Sequence, residues 1–293
     1  EIRDYGNKAE SLIGNYLIEV TTDVKLYKKF KLIDASTLDS ESKKYHDELE
    51  KDFIDAGHNL EKDSKLRLIE IEKKLIDLEI NFSKNIADDK SEVYLEASEL
   101  TGLSGGELGG LEFKSGKYTV TMAYPDVNAV LENCSVRKSR ELVWKAFNNR
   151  AASSNLPILQ ETVVLRNEKA KLFGFETWSQ YRLKYRMAKN PDNVSAMYDS
   201  LIPTLQKSAE TEKLELSDDN IDPADLSPWD IRYLITKKRN KLSNLDNSEL
   251  KKYFYIHDVK VEMFSICEDV FDISIKKEDS KTAWHQDVEL WSI

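Results

Sequence analysis

The chain has 293 residues, 43 of them basic and 53 acidic, for a formal net charge of −10. That length makes one large domain or two small ones with a real core, and 40% apolar with 33% charged residues suits a helix-rich globule rather than a disordered chain. The acidic balance argues against nucleic acid as a partner, no run of about 18 apolar residues offers a membrane span, and Cys134 and Cys267 are too distant for a disulfide framework, which fits a reducing compartment.

The opening Glu1-Ile2-Arg3-Asp4-Tyr5 carries no apolar signal core and no initiator Met, so a piece of something longer is expected. Leu26 to Phe30 and the charged stretch Ser40 to Ala56 read as helices. Leu68, Ile71, Leu75, Leu78 and Phe82 recur at intervals of three and four, and place one face of a long helix from about Asp63 to Asn85 in a core. Ile69, Ile76 and Ile80 widen that face.

Gly102, Gly105, Gly106, Gly109 and Gly110 put half of the ten glycines into nine residues. A helix tolerates that density poorly, so a connecting loop is expected; no Lys-Ser or Lys-Thr follows to make it a phosphate cradle. Tyr118, Val120, Met122 and Tyr124 then alternate with smaller residues behind the turn signal Ser115-Gly116, which predicts a small hairpin near 111–124.

Helices return at Ser135, read as the cap of a helix through Arg150. Asn155 and Pro157 mark the start of another, closed by Gly174, and Thr177 caps a helix to about Ala188. Pro191 ends that one, and Asp192 or Asn193 opens a long helix toward Leu216 with Pro203 as a kink or break. Ser217 to Pro223 is a polar loop, and Ser227-Pro228-Trp229-Asp230 is a strong helix start. Asn247-Ser248-Glu249 opens a short helix, Val259 to Val270 forms the last, and the apolar residues between Ile273 and Trp291 suggest strands.

Candidate chemistry is sparse. His46, His58, His257 and His285 contain no pair four apart, so the helix that presents two imidazoles to a zinc ion in H-E-x-x-H is absent. His46 reads as a solvated surface residue. Cys267 lies on an apolar helix face and reads as core, while Cys134 sits at a loop-to-helix boundary where a thiol can be reactive. Trp229, Arg232 and Tyr233 at helical spacing fit either core packing or the lining of a cleft.

Several stretches together carry a resemblance. They are Asn81-Phe82-Ser83-Lys84-Asn85, Tyr118-Thr119-Val120-Thr121, Tyr124-Pro125-Asp126, and Arg137 and Arg140 with Ala146-Phe147-Asn148-Asn149-Arg150. Leu172-Phe173-Gly174-Phe175, Trp229-Asp230-Ile231-Arg232-Tyr233, Leu250 to Phe254 and Trp284 to Leu290 continue them in order. Over roughly residues 60–293 the chain resembles the thimet oligopeptidase and neurolysin family of zinc metallopeptidases, saccharolysin included.

The resemblance implies a mainly helical amino-terminal domain over 1–272 that forms one wall of a peptide channel, with 273–293 starting the strand region toward a catalytic domain absent from these residues. It implies zinc in the complete enzyme and none on this chain, which has no counterpart of the metal ligands or the general base. Trp229, Arg232 and Tyr233 become candidates for the channel lining. Short peptides and the catalytic half are the implied partners, the isolated chain is expected to self-associate, and the implied location is the cytoplasm or the mitochondrial intermembrane space. A non-catalytic helical module that binds peptides or a partner is the alternative.

Overall fold

The computed structural model describes residues 2–217, 221–243, 250, 253–279 and 283–293. Twelve α-helices dominate these residues. The first four are α1 (Ile2–Thr22), α2 (Val24–Phe30), α3 (Ser40–Asp55) and α4 (Lys62–Asp88). Asp23 and Asp39 start α2 and α3 by accepting hydrogen bonds from the first-turn amides, which would otherwise lack partners. Along α4, Leu68, Ile71 and Leu78 are buried as their spacing requires. α1 packs on α4 where Gly14 admits the Ile76 side chain; a Cβ at Gly14 would lie 2.9 Å from it. Tyr27, Phe30 and Phe53 cluster with His46 and His58, and His46 stacks on Phe30 with centroids 4.5 Å apart. His46 is therefore not the solvated residue expected, since its side chain is only 13% exposed.

Between α4 and the next helical run lies a three-stranded antiparallel sheet of β1 (Glu92–Leu95), β2 (Glu112–Lys114) and β3 (Lys117–Thr121), in the order β1-β3-β2. The expected hairpin is β2-β3. Its turn residues Ser115 and Gly116 both have positive φ, as a tight two-residue hairpin demands. β1, not anticipated, pairs with the other edge of β3, Val93 opposite Val120.

The glycine cluster corrects an expectation. Gly105–Gly110 is a short helix, α5. Ser104 accepts from the Glu107 amide while the Glu107 carboxylate accepts from the Ser104 amide, a reciprocal cap, and buried Leu103 and Leu111 pin both ends into the core. Capping and anchoring outweigh the poor propensity of glycine.

A second correction concerns α6 (Tyr124–Asn133), which was not anticipated. Tyr124, expected to continue the strand, opens this helix with Pro125 in its first turn, while Val127, Val130 and Leu131 bury one face. Ser135 does not cap the following α7 (Arg137–Asn148); its hydroxyl and amide both donate to the Thr101 carbonyl, and Val136 takes the N-cap position. Leu95, Leu100, Val120, Val127, Val130, Cys134 and Val143 form the main core between sheet and helices, with Trp144 and Phe147 packed against it.

α8 (Ala152–Leu172) begins before the expected start, so Pro157 lies inside it. Leu165 meets Ile71 and Leu78 of α4 in a second core. α9 (Trp178–Leu183) is capped by Thr177 with Gln180, and it ends before Ala188. α10 (Pro191–Leu216) takes Pro191 as its first residue, capped by Asn190, and runs through Pro203 without a break.

The chain divides into two compact units, Glu1–Asp230 and Ile231–Ile293, with the boundary inside α11 (Pro228–Ser243). The second unit holds the rest of α11, α12 (Ile256–Phe271) and two short paired strands, β4 (Lys276–Lys277) and β5 (Trp291–Ser292). The Phe264 and Trp291 rings, 4.6 Å apart, join α12 to β5. Lys260 and Lys277 both pair with Glu289 and hold its carboxyl down at about 2. Ala283 to Leu290 is bends, turn and irregular backbone rather than the strand expected there. The helix expected at Asn247-Ser248-Glu249 lies outside the described residues.

Candidate functional site

The start of α11 carries a buried polar network. Arg137 and Arg140 are three apart on α7 and so share a face, and that face meets Asp230 in the first turn of α11. Arg140 is 1% exposed, and Asp230 is fully buried. Arg140 Nη2 donates to Asp230 Oδ1 at 2.8 Å, Nη1 to the Cys134 carbonyl at 2.8 Å, and Nε to the Trp229 carbonyl at 3.2 Å. Arg137, with a side chain 43% exposed, donates from Nη2 to Asp230 Oδ2 at 2.8 Å and from Nε to both carboxylate oxygens at 3.1 Å. The Ser227 amide adds another bond to Oδ2 at 3.1 Å. Burial alone would raise the Asp230 pKa; the bonds from Arg137, Arg140 and the Ser227 amide outweigh it and hold the carboxyl below its ordinary value.

This lock fixes Trp229. The Trp229 indole stands edge-on to Trp144 with centroids 5.7 Å apart, and Lys145 Nζ lies 5.4 Å from its ring. Trp229 is half-buried, with its backbone tied to Arg140. Arg232 is exposed on α11, and Tyr233 is half-buried with Lys237 Nζ 5.7 Å from its ring. At spacings of three and four from Trp229, both fall on its face of the helix. The lock has no local sequence signal, because Arg137 and Arg140 lie on a predicted helix and their partner Asp230 is some ninety positions away.

The described residues do not fit a zinc ion, and no three His, Cys, Asp or Glu among them gather in a way that could hold a metal. His58 Nε2 donates to the Thr21 carbonyl at 2.8 Å, which leaves Nδ1 to accept from Lys65 Nζ at 3.3 Å. The ring is thus neutral, and burial lowers its pKa. His285 lies beside Asp287, whose amide donates to its Nδ1. The Cys134 thiol is fully buried and donates to the Glu99 carbonyl, and burial raises its pKa; it is not the reactive thiol its boundary position allowed. Among the described residues no helix is long and apolar enough to cross a membrane. Two surface clefts of about 490 and about 290 Å³ lie around Arg150 and Asp55, and Trp229 lines neither.

The family model described as peptidase family M3 matches residues 130–293. The chain belongs to peptidase family M3. The matched stretch contains the whole Arg137–Arg140–Asp230 lock and Trp229. A second model, described as angiotensin-converting enzyme, matches residues 19–208. The M3 chain is 27% identical to a thimet-like oligopeptidase of Dictyostelium discoideum, in an alignment covering 100% of this chain and 47% of that relative. It is 28% identical to saccharolysin of Saccharomyces cerevisiae, over 99% and 44%, and 26% identical to a probable thimet oligopeptidase of Arabidopsis thaliana, over 100% and 42%. The M3 chain thus spans a little under half the length of these curated relatives.

Proposed function

We propose that these residues form the amino-terminal helical part of a zinc-dependent metalloendopeptidase that cuts short peptides internally. The observation that carries this reading is the alignment of essentially the entire chain with less than half of each relative. In this reading zinc, its ligands and the general base belong to the half of the relatives left uncovered, and the described residues contribute one wall of the peptide channel. Trp229, Arg232 and Tyr233 line that wall; their common face on α11 and the fixing of Trp229 by Arg140 support the assignment. The net charge of −10 favours basic peptides over the surface as a whole. The scarcity of cysteine favours the cytoplasm or the mitochondrial intermembrane space.

The same reading makes the isolated chain self-associate, because part of its apolar surface is meant for the catalytic half. Met197, Leu201 and Leu205, four apart along one face of α10, are all exposed. Light scattering over a wide concentration range tests this, and a monomer throughout counts against it.

The main test compares metal content and fluorogenic-peptide cleavage for the 293-residue chain and for the same chain extended by its following coding sequence. The expected result is zinc and turnover in the extended chain alone. Stoichiometric zinc with turnover in the 293-residue chain overturns this division of labour. An extended chain that binds peptides but cleaves none supports instead a non-catalytic peptide- or partner-binding module.

A further inference from the structure

Within an acidic protein, one segment runs strongly the other way. Residues 166–189 carry seven basic and two acidic side chains. Of the two acids, Glu168 receives two bonds from Arg67, while Glu176 is exposed before α9, its backbone amide donating to the Gln180 side chain. Two of the bases are also committed, since Lys169 pairs with Glu72 and Lys184 with Asp55.

Arg166 of α8 and Arg182 of α9 differ. Both are exposed, and neither meets a carboxylate among the described residues. Both stand against one indole, with their guanidinium carbons 5.6 and 5.7 Å from the Trp178 ring centroid. Lys169 Nζ adds a third positive charge at 5.9 Å. Trp178 is half-buried and packs on Tyr181 with centroids 5.4 Å apart, so its ring position is set by the core beneath. By contrast, the exposed arginines Arg3, Arg67 and Arg137 of the first unit each have an acidic partner.

Two guanidinium forks can each take a carboxylate in two parallel hydrogen bonds, and the indole between them supplies a rigid apolar contact. We infer that Arg166, Trp178 and Arg182 form a docking site for an acidic peptide segment, with carboxylates on the two arginines and an apolar side chain on the indole. Charge complementarity selects this occupant. A long polyanion such as nucleic acid needs an extended cationic track, and here it would meet a protein of net charge −10. The site lies on α8 and α9 rather than α11, so it does not depend on the channel assignment.

The test is an anisotropy titration of the 293-residue chain with a dye-labelled short peptide rich in Glu and containing one Leu, at low and physiological salt. Saturable binding that weakens steeply with salt is expected. Arg166→Gln with Arg182→Gln should lower affinity at least about tenfold, the equivalent of one charged hydrogen bond. Trp178→Phe should lower it by a smaller factor. Because both arginines are exposed, an unchanged circular dichroism melting curve should show that the double variant folds. Equal affinity in wild type and double variant, equal binding of a Lys-rich peptide, or tighter binding of a single-stranded oligonucleotide of the same charge each overturns the inference. A double variant that changes only the oligomeric state also overturns it, because the occupant would then be a second copy of the chain.

Discussion

Asp230 and Arg140 lie ninety positions apart in sequence and pair at 2.8 Å with almost no exposure to solvent. Arg140 also donates to the carbonyls of Cys134 and Trp229, so each partner finds its hydrogen bonds inside the protein. A buried pair of this kind is costly to break, because removing one member leaves an uncompensated charge in a poorly solvating interior.

Asp230→Asn should therefore destabilise the first unit by about 3–5 kcal/mol, as should Arg140→Met. Arg137→Gln should cost less, because that side chain is 43% exposed and water can replace part of what it loses. Urea unfolding of the three variants checks the order; a cost for Arg137→Gln equal to that of Asp230→Asn would contradict it.

Stability should fall below neutral pH through His58. Burial holds its pKa below the ordinary 6.5 even though the Thr21 carbonyl favours the charged ring, and the Lys65 ammonium opposes protonation further. In the folded chain the ring stays neutral, with Nδ1 accepting from Lys65. The unfolded chain takes up a proton near the ordinary value while the folded chain does not. This contribution is thus complete above that pH and is lost progressively as the pH falls through it. His58→Gln should flatten the dependence of the urea midpoint between about pH 7.5 and about pH 5, and an unchanged slope would remove His58 as its source.

The glycines of residues 102–110 should respond in opposite directions. Gly102 has φ +103°, and a Cβ there would lie 2.4 Å from the Asn133 carbonyl oxygen, so Gly102→Ala should destabilise by more than about 1 kcal/mol. Gly109 lies in α5 with open space where a Cβ would stand, and Gly109→Ala should stabilise by up to about 1 kcal/mol. Thermal melts of both variants test the contrast.

Thiol titration should separate the two cysteines. Cys134 is fully buried with its pKa raised by burial, whereas Cys267 on α12 is half-buried. A thiol-specific reagent should modify Cys267 in the native chain and Cys134 only after denaturation, with Cys134→Ala leaving the native count unchanged. Two native thiols reacting at equal rates would argue against this packing.

Local patterns were legible where one element carries its own instructions. The stripe Leu68, Ile71, Leu78 needs only helical spacing to declare its buried face, and Ser115-Gly116 needs only its preference for positive φ to close a hairpin. Thr177 and Gln180 cap α9 within four residues of sequence. The order of short motifs along the chain likewise carried the family resemblance before any contact was known, since such motifs are read one at a time.

Tertiary structure decided everything that joins distant residues. Four residues at Glu92–Leu95 become a strand because β3 offers them an edge. Six residues rich in glycine become a helix because Leu103 and Leu111 are anchored in a core that sequence proximity does not reveal. Arg137 and Arg140 look like surface charges until Asp230 is folded against them. The spacing of the four histidines, with no pair four apart, is read from the sequence alone. Only the fold showed how His46 and His58 are employed, stacked on Phe30 and Tyr27, because a ring's partners depend on which helices meet around it.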